Sequence, residues 1–189
     1  GGWPNAPGVA RLSVGMMFLF IAFQECQNVF PLLLKEAGFP SLGAYAMACY
    51  SGASFAAAWI SKPIFKRIHP RVVLPVTGAS GLAFVGSMGA ASMLAGAVPA
   101  WFVVALVAAA TFLAAPICAV LWPAQGYILT HYAPTSMLNW YQSFFQLCFT
   151  SSGLLGPVLV SALLPAGGWR LATPALLLVA ALGVLLLSG

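Results

Sequence analysis

Residues 9–34 read VARLSVGMMFLFIAFQECQNVFPLLL. From Val14 to Phe23 there is neither a charge nor an amide, so the stretch has no face to offer water. A helix that crosses a bilayer needs about 20 such residues, and this run is long enough. Five further apolar runs follow, at 41–61, 72–94, 100–128, 138–163 and 171–187. Breakers stand between them: Gly38-Phe39-Pro40, Lys62-Pro63, Pro99, Ala133-Pro134, and Pro165 to Gly168. Ten-residue segments of alternating polarity, the mark of a transmembrane barrel, are not visible. The expected fold is all-α: a polytopic membrane protein whose six transmembrane helices form a single bundle over 1–189.

Composition agrees. Of 189 residues 62% are hydrophobic and 5% charged, where a soluble domain carries about a quarter charged residues. The mean hydropathy is +1.00. These values exclude a soluble enzyme, a nucleic-acid partner and a disordered tail. The net charge of +5 belongs to loops. Lys62, Lys66, Arg67 and Arg71 follow the second run, and Arg11 sits on the same side, against Lys35 and Arg170 opposite. Positive loops stay cytoplasmic, so both ends are expected on the cytoplasm-equivalent side. The basic cluster is a topology signal and also suits anionic lipid headgroups; bound lipids are the expected companions. Trp101, Tyr132, Trp140 and Trp169 lie near run ends, where amphipathic rings favour the interface. Cys26, Cys49, Cys118 and Cys148 fall inside apolar segments with no CxxC spacing, as small hydrophobes do. The chain opens at Gly1 and stops just after an apolar run, so a fragment is expected.

Polar residues inside lipid are costly, so their positions carry the functional signal. Gln24, Gln27 and Asn28 share one face of the first run, with Glu25 at its flank and near the bilayer midplane. A carboxyl there must be protonated, paired or facing a wet cavity. It reads as a proton or cation site or a substrate contact, or else as a neutral acid bonded to neighbouring helices. Asn139, Gln142, Ser143, Gln146 and Thr150 form a second stripe in the fifth run, lining a cavity or bonding another helix. Gln125 lies beyond Trp122-Pro123 in the fourth run, whose Pro116 and Pro123 predict a bent helix of the kind that borders binding sites, or, for Pro123, simply the exit from the membrane. Small residues of the second and third runs, among them Ser51, Ser54, Gly78, Gly86 and Gly89, read as packing.

No catalytic constellation is present. The chain has no Asp, no paired carboxylates and no phosphate-binding glycine loop, so no enzyme, metal or cofactor is expected. His69 and His131 are both expected in loops, where histidines are solvated.

Six runs, both ends inside and a basic loop after the second resemble one half of a major facilitator superfamily protein. Leu121-Trp122-Pro123-Ala124-Gln125-Gly126-Tyr127-Ile128-Leu129-Thr130 resembles the tryptophan–alanine–glutamine–glycine segment of the uncoordinated-type ion-channel regulatory (Unc-ninety-three-like) family. Ser143-Phe144-Phe145 with Thr150 to Gly156 is similar to that family's fifth helix, and Phe23-Gln24 with Gln27-Asn28 to its first. The resemblance implies the N-terminal half of a twelve-helix chain, built of 3+3 inverted repeats, with the C-terminal half as its partner. It implies movement, or regulation of movement, of a small solute or ion, with Gln24, Glu25, Gln27, Asn28, Gln125, Asn139, Gln142 and Gln146 about the cavity. The superfamily's aspartate and second glycine are absent from Ser61 to Arg71. Their absence motivates the alternative: a non-transporting structural or regulatory subunit docked on a larger membrane protein complex.

Overall fold

The computed structural model describes residues 6–65 and 67–189, without the side chains at 6, 60, 62, 113, 116–118 and 132. Lys66 and the side chains of Lys62, Pro116, Cys118 and Tyr132 therefore lie outside the described residues. The chain is helical throughout: α1 Ala6–Glu36, α2 Leu42–Phe65, α3 Pro70–Leu94, α4 Ala100–Tyr132, α5 Leu138–Gly167 and α6 Trp169–Ser188. A single 3-10 turn, Thr135–Met137, leads into α5, and no β-strand occurs among the described residues.

The ends differ from expectation chiefly at the C-termini of α2, α4 and α5. Pro63 and Pro165, read as breakers, lie inside α2 and α5. Proline already holds a helical φ; its cost is one lost N–H bond and a crowded carbonyl. Neighbouring helices can absorb that cost. Positive-φ glycines follow α1, α3 and α5, whereas α4 stops at Ala133, before Pro134. Gly38 (φ 91°) closes α1 in a Schellman turn, with Gly38 N–H donating to Lys35 O at 3.1 Å and Phe39 N–H to Leu34 O at 2.7 Å.

Four helical stretches are long and apolar enough to cross a membrane: 7–36, 70–94, 135–167 and 169–188; Ala100–Phe112 is a shorter apolar piece. Phe55, Trp59, Trp101, Leu154, Leu178 and Leu185 are exposed. A soluble monomer does not tolerate such a surface, whereas lipid accepts it. These helices make the chain a membrane-embedded type.

α1 is the hub. It packs on α2, α3, α5 and α6, while α4 packs on α2, α3 and briefly α5, and α3 meets α6. Its apolar window is 67% buried against 22% for that of α5, so α1 is central and α5 peripheral. Ala37, Ala95 and Gly168 line one cleft, which brings the turns after α1, α3 and α5 to one end. Arg11 lies against Gly189, which places the start of α1 and the end of α6 at the other. Small residues set the spacing. A Cβ on Gly183 of α6 would stand 2.7 Å from the Gly15 carbonyl oxygen and 2.7 Å from Leu19 N, so α1 and α6 touch backbone to backbone. Gly78, Gly86 and Gly89 of α3 face Val184, Leu177 and Thr173 of α6. Gly52, in contrast, has open space around it.

Candidate functional site

The polar residues of α1 divide between two faces. Adjacent residues on a helix point about 100° apart, so Gln24 and Glu25 open onto different cavities, although both reach α5. Gln24 and Gln27 line a cleft of ≈ 360 Å³ with Phe20, Phe23, Tyr50, Ser51, Ser54, Ala119, Trp122 and Phe149. Ser152 Oγ lies 3.2 Å from Gln24 Oε1 and 2.6 Å from the Phe149 carbonyl oxygen. A hydroxyl has one hydrogen. Donated to the carbonyl, it leaves Ser152 to accept from a Gln24 amide turned end for end. Ser54 Oγ donates to the Ala115 carbonyl at 3.3 Å, tying α2 to α4.

Aromatic rings wall this cleft. Trp122 sits 5.0 Å from Phe20, 4.9 Å from Phe149 and 6.3 Å from Phe145, between ring centroids. Tyr50 joins Phe23 and Phe84 on the other side. Pro123 has no N–H, so the Ala119 carbonyl lacks its helical donor one turn on. That carbonyl belongs to a residue of the cleft lining.

Trp122 is also one wall of a second, open cleft of ≈ 620 Å³ between α4 and α5. Gln125, Thr130, Asn139, Gln142, Ser143 and Gln146 line it. Gln125 is buried, and Asn139, Gln142 and Gln146 are exposed in this chain. The opposite face of α5 is its packed one: Tyr141, Phe145, Cys148, Ser152, Gly156 and Val160. Both clefts fall in the volume range of small-molecule sites. Among the described residues, no Lys, Arg, Asp or Glu lines either.

Glu25 and Asn28 line neither cleft. Glu25 is 4% exposed and lies against Gly156 of α5, where a Cβ would stand 2.6 Å from Glu25 Cγ. The Asn28 amide donates to its carboxyl, and Asn28 itself is exposed. The two other walls come from Val85 of α3 and from Trp169, Thr173 and Leu176 of α6. Glu25 thus stands level with the first two turns of α6.

In the basic loop, Arg67 is exposed and Arg71 is half-buried in the first turn of α3. His69 caps α3, its Nδ1 accepting the Arg71 N–H at 3.2 Å. His131, expected in a loop, is in the last turn of α4. It stacks on Tyr127 at 5.0 Å, with 19° between the rings. Among the described residues no group of three or more metal-ligating side chains occurs.

Trp122, Phe149, Tyr50, Ser51 and Ser54 were not expected at the site. A signal for the last three was present: Ser51 and Ser54 lie three apart, beside Tyr50, on an otherwise small-residue helix. Set against protein families, curated proteins and solved structures, the chain matches none.

Proposed function

We propose that this chain is a six-helix, transporter-like membrane unit whose two clefts, sharing Trp122, take up and pass a small polar solute. The observation that carries this reading is the convergence of six neutral amides on two adjoining clefts: Gln24, Gln27, Gln125, Asn139, Gln142 and Gln146. Amides donate and accept, so they replace solute hydration without the cost of desolvating a charge. The packing supports two inverted three-helix repeats of the facilitator kind. Exchanging α1 with α4, α2 with α5 and α3 with α6 turns the α2–α4 contact into α5–α1. The same exchange turns α3–α4 into α6–α1 and leaves α3–α6 in place. In such folds the solute site lies at the repeat interface, beside interrupted helices.

A thermal-unfolding screen of small neutral and charged solutes on the protein in mild detergent, followed by uptake in proteoliposomes, tests the proposal. A solute at 100 times its Kd stabilises the folded state by about 2.7 kcal/mol. Gln125→Ala should weaken Kd about tenfold, as one lost buried hydrogen bond of about 1.4 kcal/mol would, so the stabilisation at that solute concentration should fall to about half and uptake below saturation by about tenfold. Uptake no greater than in empty vesicles for every solute class sinks the reading.

The exposed face of α5 favours one alternative, a docked non-transporting subunit. Leu147, Leu154 and Val158 stand on that helix uncovered, beside the amide stripe. A protein that always migrates alone from mild detergent argues against it.

A further inference from the structure

We propose that Glu25 is a proton-exchange site reached from the cleft beneath the α5–α6 turn, on a different face of α1 from the amide-lined clefts. The carboxyl is 4% exposed, and its Oε1 has no hydrogen-bond partner among the described residues. The groups facing it are few. α1 contributes Cys26, Asn28, Val29, Phe30 and Leu33, α3 Val85, α5 Gly156, and α6 Trp169, Thr173 and Leu176. Of these only the Cys26 thiol titrates, no cation is among them, and α2 contributes nothing. A carboxylate in this pocket would have the Asn28 amide as a donor but no cation to balance its buried charge, whereas the neutral acid is compatible with it.

Beside the carboxyl is a cavity of ≈ 10 Å³, at the lower limit for one water. Leu33, Trp169 and Thr173 line this cavity and also a cleft of ≈ 910 Å³ that holds Glu36 and Arg170. These three side chains are therefore the partition between Glu25 and the end of the bundle that carries the α1–α2 and α5–α6 turns. When Trp169 or Thr173 swings aside, the carboxyl O–H bond breaks. Its electron pair stays on Glu25, and the proton passes to water in the cleft. The site is mechanically joined to the amides: α5 touches Glu25 through Gly156 and Gln24 through Ser152, one turn earlier. Charging Glu25 would then press on the helix that borders both clefts. As a coupling site it deepens the reading above, yet its test requires no transported solute.

The chain has only two acids, Glu25 and Glu36, which makes infrared assignment direct. The reconstituted protein should show a protonated-carboxyl C=O band at neutral pH. That band should vanish in Glu25→Gln and persist in Glu36→Gln. On transfer to D2O that band should shift, and Trp169→Ala should speed the shift several-fold. Circular dichroism checks that each variant is folded, and the Glu36→Gln and Trp169→Ala arms read the same band without altering Glu25. Absence of the band from folded protein, its survival in Glu25→Gln, or an exchange rate that Trp169→Ala leaves unchanged overturns the proposal. Loss of solute uptake with the band intact leaves this site standing and removes only the transport reading.

Discussion

Single glycines show how differently one residue type acts along this chain. At Gly183 the atoms in the way are the Gly15 carbonyl oxygen and Leu19 N, each 2.7 Å from where a Cβ would stand. Backbone cannot swing aside as a side chain does, so Gly183→Ala must push α6 off α1. Overpacking of this kind costs about 1–3 kcal/mol, and thermal unfolding in detergent should register the loss. At Gly52 nothing stands within 4 Å. There Gly52→Ala removes only the glycine's excess backbone entropy and should stabilise by about 0.5–1 kcal/mol. A Gly183→Ala protein as stable as wild type would show that the α1–α6 contact is looser than the distances state. Both glycines look alike in the sequence; only their surroundings separate them.

Among the helices, α5 has two distinct faces, one packed and one lined with amides. Tyr141, Phe145, Cys148, Ser152, Gly156 and Val160 recur at three- and four-residue intervals and are buried. Gln142, Gln146 and Thr150 occupy the other side and are exposed. If that side borders a wet cleft, Gln146→Cys should react quickly with a membrane-impermeant maleimide and Ser152→Cys should not. The measurement needs a background in which Cys26, Cys49, Cys118 and Cys148 are replaced. Protection of Gln146→Cys would mean that lipid or a partner protein covers the face. α1 behaves differently. Its three amides and one acid lie within a turn and a half, yet the structure sets Gln24 and Gln27 in the cleft with α2 and α4 and Glu25 in the pocket with α3 and α6, with α5 touching both Gln24 and Glu25. The expected single cavity therefore becomes two clefts and a separate acid pocket. Helical spacing shows that neighbours diverge, but it names no neighbour.

At the scale of the whole molecule, the helices alternate in direction, and this has a consequence for the membrane. If all six cross, reporters inserted at Gly38, Gly96 and Gly168 should lie on one side. Reporters at Arg67 and Pro134 should lie on the other, together with both ends. Impermeant labelling of intact vesicles reads each position. A reporter at Gly38 on the same side as one at Arg67 would mean that α2 does not cross. The hub position of α1 also predicts unequal local stability. Amide hydrogen exchange should be slower in α1 than in α5, since exchange follows local opening and burial.

The sequence by itself determined the solvent of this protein and part of its punctuation, since Pro63 and Pro165 lie inside helices. Long apolar runs choose lipid because an unpaired polar backbone or charge cannot remain there. Gly38 and Pro99 end or begin helices through local backbone geometry that needs no neighbour. The convergence of Gln125 with Asn139, Gln142 and Gln146, the aromatic wall around Trp122 and the isolation of Glu25 were decided only by tertiary structure. The physical reason is that lipid is as apolar as a protein core. A helix face turned to lipid and one turned to another helix then carry the same side chains, so periodicity cannot say which is which. Contact between particular surfaces, set by small residues such as Gly15, Gly156 and Gly183, makes that choice.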